Sequence, residues 1–209
     1  MVTTTNVSRP AGEESTVPAP ASIADPGPLG LAAFALTTFI LSCVNAGLLN
    51  AGTESIVLGA ALFYGGTVQL LAGMWEFRKG NTFGATAFSS YGGFWLAFWG
   101  IGRFFAPAAG VSATDINHAV GVFLLAWTIF TAYMTVAATR TSTAVLAVFV
   151  ALTITFAVLT ISKFSDSTGI GKLGGWIGLL TAVIAWYASF AVVTNETWKR
   201  KVLPVGPRN

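Results

Sequence analysis

The stretch "DPGPLGLAAFALTTFILSCVNAGLLNAGT", residues 25–53, decides the fold. Behind Asp25 and the proline pair Pro26 and Pro28, no charged residue occurs from Leu29 to Thr53. That run exceeds the roughly 20 apolar residues a helix needs to cross a hydrocarbon core. Pro28 suits a first helical turn, where no backbone N–H is missed. Asp25 stands where it could cap that turn. Working outward, five more uncharged runs follow: Ser55–Trp75, Gly80–Gly102, Ile116–Thr139, Thr141–Ser162 and Leu173–Asn195. The whole chain is 54% hydrophobic and 9% charged, with a mean hydropathy of +0.72. Ordinary soluble domains carry about 25% charged residues. Lipid offers no water to satisfy an open backbone, so the runs are expected to be helices. The expectation is an all-α membrane protein, six transmembrane helices in one bundle, spanning residues 25–198 with short loops.

The ends differ in composition. Residues 1–24 are rich in Thr, Ser, Pro and Ala, and read as a disordered tail. They do not read as a signal peptide, because no apolar stretch follows Arg9 within them. Residues 199–209 form a short basic tail. The net charge of +3 is small and dispersed, which argues against a nucleic-acid partner. It has a topological reading instead. With an even number of spans, eight of the eleven Lys and Arg fall on the side of the termini, and Arg103, Lys163 and Lys172 fall on the other. Positive residues favour the cytoplasm, so both termini are expected there, in a multi-pass protein of the plasma (inner) membrane. Trp75, Trp176 and Trp198 near run ends fit interfacial anchoring, while Trp95, Trp99, Trp127 and Trp186 lie deeper. The lone Cys43 excludes an internal disulfide and reads as a small packing residue.

A few polar residues interrupt the apolar runs. Phe34, Thr37, Thr38, Leu41 and Asn45 share one helical face, joined by Ser42. Hydroxyls and an amide are costly against lipid and should point inward. Two roles stand level for them: hydrogen bonding between helices, or lining a path. In the second run Gly65, Gln69 and Gly73 form a small-residue stripe, read first as helix packing. Glu76 near that helix's end opposes the dipole and needs a cation, with Lys79 in reach. In the third run Asn81 or Thr82 can cap the helix, and Tyr91 falls near the centre, where its hydroxyl needs a partner. Gly92 and Gly93 beside it permit close approach or a local irregularity. Leu152 in the fifth run is, on composition, an ordinary packing leucine. His118, beside Asp115 and Asn117, lies at a span edge and reads first as structural.

The chain lacks H-E-x-x-H, G-x-S-x-G, a phosphate loop and any cysteine pair. Neither an enzyme, nor a metal, nor a cofactor is expected. No Asp or Glu sits deep in a run, which speaks weakly against a carboxylate proton relay.

Two long stretches carry a resemblance: "DPGPLGLAAFALTT" and "FYGGTVQLLAGMWEFRKGNTFGATAFSSYGGFW". With the ending "NETWKRKVLP" they strongly resemble the acetate uptake transporter family, whose bacterial members are called succinate–acetate permeases and whose fungal relatives carry acetate. The resemblance runs from about Asp25 to Pro204. The family signature begins N-P-A-P-L-G-L, and stands here as Asp25, Pro26, Gly27, Pro28, Leu29, Gly30 and Leu31. The resemblance implies six-helix subunits that assemble as a homohexamer, each with its own pore. It implies an apolar constriction of Phe34, Tyr91 and Leu152, a path lined by Asn45, and Asp25, Pro26, Pro28, Leu29 and Gly30 at an entrance. Val44 stands where some bacterial members carry a histidine, and Ser42 where an asparagine is found nearby.

The expected function is therefore uptake of acetate and other small monocarboxylates, with succinate a further cargo to test. Thr37, Thr38, Ser42, Asn45, Gln69 and the Tyr91 hydroxyl are the expected polar lining. Glu76 and His118 are the structural or proton-route residues. The alternatives are a urea or small-amide channel, separated by comparing urea with acetate flux, and a membrane metabolite sensor that moves nothing.

Overall fold

A computed structural model of the chain describes residues 23–206. The tail expected before Asp25 lies almost wholly outside the described residues. Within them the long elements are α1 (Gly27–Asn45), α2 (Glu54–Lys79), α3 (Thr82–Gly100), α4 (Ala113–Ala138), α5 (Thr143–Phe164) and α6 (Thr168–Thr197). No strand occurs among the described residues. α1, α2, α4, α5 and α6 are long and apolar enough to cross a membrane. α3 is 19 residues long, but its Ser, Thr, Tyr and Gly dilute its apolar character. The chain is a multi-pass membrane protein.

Helix starts follow capping chemistry. Ser112, Ser142 and Ser167 each accept a backbone N–H from the first turn of α4, α5 and α6. Of the two residues that could cap α3, Asn81 does so, accepting from the Gly84 N–H at 3.1 Å. Asp25 lies one residue before the α1 cap position, and its Oδ1 accepts from the Gly27 N–H at 2.9 Å.

α1 ends eight residues before its uncharged run does. After Asn45 the chain turns at Gly47, whose φ of +77° is a left-handed conformation other residues resist. A short 3₁₀ turn at Ala51–Thr53 then leads into α2. Local irregularity appears away from Gly92 and Gly93. α2 carries a π-helical segment at Ala61–Val68, and α3 runs on through another at Ile101–Phe105. Such segments expose carbonyls that a straight helix hides. Thr37 reaches the Ala60 carbonyl at 3.5 Å from α1.

α1 packs on α6 and on the π segment of α2; α6 packs on α5, α5 on α4, and α2 on α3. Close approach uses small residues. A Cβ on Gly92 would meet the backbone of Leu70 at 2.7 Å, so α2 and α3 touch there main chain to main chain. α3 and α4 stand further apart, bridged by rings: Phe94 stacks on Phe123 with centroids at 5.5 Å, and Tyr91 meets Phe130 edge-on at 5.5 Å. That spacing leaves room inside the bundle.

The segment after α6 returns across the helix ends. Asn195 accepts from the Val202 and Leu203 N–H groups, Tyr187 donates to the Pro204 carbonyl, and the Thr143 N–H meets the Gly206 carbonyl. The basic tail is thus a docked strap up to Gly206.

Candidate functional site

A cavity of about 640 Å³ opens between α1, α3, α4 and α5 at the end of the bundle away from Asp25. Its wall changes character with depth. On α1 it shows Phe34, Thr38, Leu41, Ser42 and Asn45, one face of the helix. Facing these are rings and aliphatic side chains: Phe94, Trp95 and Phe98 on α3, Phe123 and Leu124 on α4, Leu152 and Phe156 on α5. Near the mouth stand Glu54, Asn117 and Lys163. The floor carries Phe34 and Leu152, and both are nearly fully buried.

Tyr91 does not line the cavity. It lies against Phe34, centroids 5.9 Å apart, and against Phe149 at 6.0 Å. Phe34, Tyr91 and Leu152 belong to one buried apolar cluster. They also lie at matching depth. The middle of α1 is near residue 36, that of α3 near 91 and that of α5 near 153. Phe34 is therefore only about 3 Å of helix rise from its helix centre. Measured from the middle of the uncharged run, which overruns the helix, it stands about 10.5 Å away.

Polar groups divide between the two roles left open by sequence. Thr37 takes the packing role: its hydroxyl donates to the Ala33 carbonyl of its own helix at 3.0 Å, reaches the Ala60 carbonyl of α2 at 3.5 Å, and is fully buried away from the cavity. Thr38, Ser42 and Asn45 line the space. Among the described residues, the buried Thr38 Oγ1 and the buried indole nitrogen of Trp95 find no hydrogen-bond partner. Gln69 is buried with its Oε1 unpaired, but lies outside the cavity wall. The Tyr91 hydroxyl pairs with Thr131 on α4 at 3.0 Å, which takes it out of the expected polar lining.

The signature motif sits at the opposite end and does not line the cavity. Its residues tie helices together. Ser189 of α6 donates to the Pro28 carbonyl at 2.7 Å. A Cβ on Gly30 would fall 2.6 Å from the Phe88 ring of α3. Asp25 binds Lys79 at 2.8 Å, and Leu29 is exposed. The expected Glu76–Lys79 pair is therefore not the one formed. Lys79 takes Asp25, while Glu76, only 1% exposed, accepts from the Asn81 amide at 2.9 Å. Asn81 thus caps α3 with its oxygen and holds Glu76 with its nitrogen. His118 is exposed beside the Phe164 ring, 6.1 Å between centroids, and does not line the cavity. Among the described residues no cluster of metal-ligating side chains occurs.

Phe94, Phe98, Phe123 and Phe156, which line the cavity, carry no mark of that role in the sequence. Phe94 and Phe98 do sit four apart on one face, as do Phe123 and Trp127. Apolar side chains facing a cavity and apolar side chains facing lipid give the same pattern.

Comparison with known proteins places this geometry. Residues 10–207 match the model of the GPR1/FUN34/yaaH family. The chain is 44% identical to accumulation of dyads protein 2 of Saccharomyces cerevisiae over 86% of its length, and 43% identical to acetate permease A of Emericella nidulans over 87%. It spans 65% of the length of each of these fungal relatives. It is 39% identical to the succinate-acetate/proton symporter SatP of Escherichia coli, covering 88% of this chain and 96% of that one. The solved structure of the bacterial acetate channel SatP superposes with a TM-score of 0.81 at 38% identity, covering 88% of this chain and 99% of that one. With a family match over nearly its whole length and a shared fold at that identity, the chain belongs to the GPR1/FUN34/yaaH family.

Proposed function

We propose that the protein carries acetate and other small monocarboxylates across the plasma membrane, through a path inside each subunit. It is a transporter or channel and not an enzyme. The observation that carries this reading is the cavity whose polar α1 wall ends on Phe34 and Leu152. Acetate has one methyl group and one carboxylate. Stripping water from the carboxylate is costly, so a short apolar constriction limits the dry distance and screens by size. Thr38, Ser42 and Asn45 offer neutral polar groups on the approach to it. Neutral partners hold an anion weakly enough to let it leave. Phe34, Leu152 and Tyr91 form the constriction, with Tyr91 acting through its ring.

In this reading α3 is the sixth transmembrane span, its dilute apolar character tolerated because Gly84, Tyr91, Gly92 and Gly100 are buried inside the bundle. Both termini lie in the cytoplasm, and the cavity opens outward. Subunits assemble as a homohexamer. The names of the relatives acetate permease A and SatP support acetate as cargo.

The test is labelled acetate uptake into proteoliposomes, set against labelled urea, with the protein-free leak of acetic acid subtracted. Acetate flux above that leak, with urea excluded, is expected. Urea flux without acetate flux would replace this reading with a small-amide channel. Adding a pH gradient separates proton-coupled accumulation, collapsed by a protonophore, from flux that stops at equilibrium.

A further inference from the structure

We infer that Lys163 is the capture site for the substrate carboxylate at the cavity mouth, kept free of an ion pair by an amide that separates it from Asp166. This rests on the transport reading above. Among the described residues, Lys163 and Glu54 are the ionised side chains that line the cavity. The other cations at this end do not line the cavity. Arg103 lies over the Phe104 ring at 5.2 Å, and the Lys172 stem covers Gly47, its Cε 3.0 Å from where a Cβ would be.

Lys163 is held in place by a neutral partner. Its ammonium donates to the Asn117 Oδ1 at 3.2 Å. The Asn117 amide nitrogen in turn donates to the Asp166 Oδ1 at 2.7 Å. The nearby acid thus spends itself on the amide, and Lys163 forms no ion pair among the described residues. An ammonium has three donors, and Asn117 takes one. The remaining donors and the uncancelled charge are available to a carboxylate entering the cavity. Asn117 is the positioning residue, and lines the same cavity. Glu54 is exposed on the other rim, where solvent screens its charge, whereas Lys163 is partly buried and screened less.

A lysine in the last turn of α5 also complements the helix dipole. That role alone would leave the concentration dependence of transport untouched, which is what the experiment reads. Labelled acetate flux into proteoliposomes is measured against acetate concentration, at low and at high salt. K163Q is expected to raise half-saturation about fivefold to tenfold, the loss of one charge-assisted hydrogen bond, and to flatten the salt dependence, with maximal flux kept. K163R should stay near wild type. N117D places a carboxylate on Lys163 and should raise half-saturation as K163Q does. N117D also keeps the question open to test if K163Q does not insert. Wild-type flux with unchanged half-saturation and unchanged salt dependence in both K163Q and N117D would overturn the capture site and leave the transport reading standing. No wild-type flux above the lipid leak would overturn both.

Discussion

Tyr91 divides its work between ring and hydroxyl. The ring contacts Phe34, Trp127, Phe130 and Phe149, while the hydroxyl meets only Thr131. Tyr91→Phe should then keep acetate flux within about twofold and cost about 1 kcal/mol of stability, read as a small fall in melting temperature. A large flux loss in a well-folded Tyr91→Phe protein would return the hydroxyl to the path. Much of the polar lining was legible from residue type alone. Thr38, Ser42 and Asn45 stood out because hydroxyls and amides are scarce in such runs. Which hydroxyl faces the cavity and which binds a carbonyl was not legible, since Thr37 and Thr38 are neighbours of the same type and only packing separates them. Leu152 and the rings around it carried no signal of their own. Lipid and cavity wall reward the same apolar side chains, so the contrast that marks a core in water is missing.

At the scale of the element, the helices were legible and their ends were not. An uncharged run overlaps every long helix among the described residues, because a helix that faces lipid carries little charge. The run behind Pro28 overshot α1, since Gly47 ends the helix without any change in polarity. The π segments of α2 and α3 also left no compositional trace. The signature motif makes packing contacts at the end opposite the cavity. Gly30→Ala should push α1 from α3, because its methyl would overlap the Phe88 ring. We expect a clear fall in melting temperature with the substrate range unchanged in the protein that does fold. A stable Gly30→Ala protein with altered cargo would instead assign the glycine to the path. Asn81→Ala removes the cap of α3 and the one hydrogen bond to the buried Glu76 together. Its cost should exceed the roughly 1 kcal/mol of a cap alone, because a buried carboxylate loses its partner. Asn81→Asp, which keeps the cap but sets two acids side by side, should not rescue it. Thermal unfolding of the two variants in one detergent checks this.

At the scale of the whole molecule, the exterior is the counterpart of the quiet interior signal. Ile56, Phe63, Ile129, Val136 and Phe190 are all exposed and large, spread over the flanks of α2, α4 and α6. In water that surface would be an aggregation patch; in a bilayer it is the solvated surface. Trp75, Trp176 and Trp198 stand exposed near helix ends, as interfacial anchors do. Fold class was therefore legible from composition, and the cavity wall was legible only in part, at α1. Passage of acetate between Phe34 and Leu152 is the core of the proposed function. It is tested most directly by the relative uptake of acetate and of larger monocarboxylates into proteoliposomes holding wild type, Phe34→Ala or Leu152→Ala. If the path runs there, each variant admits the larger acids several-fold better relative to acetate, while wild type excludes them. Unchanged size selectivity in both variants, at normal insertion and acetate flux, would move the path elsewhere in the bundle.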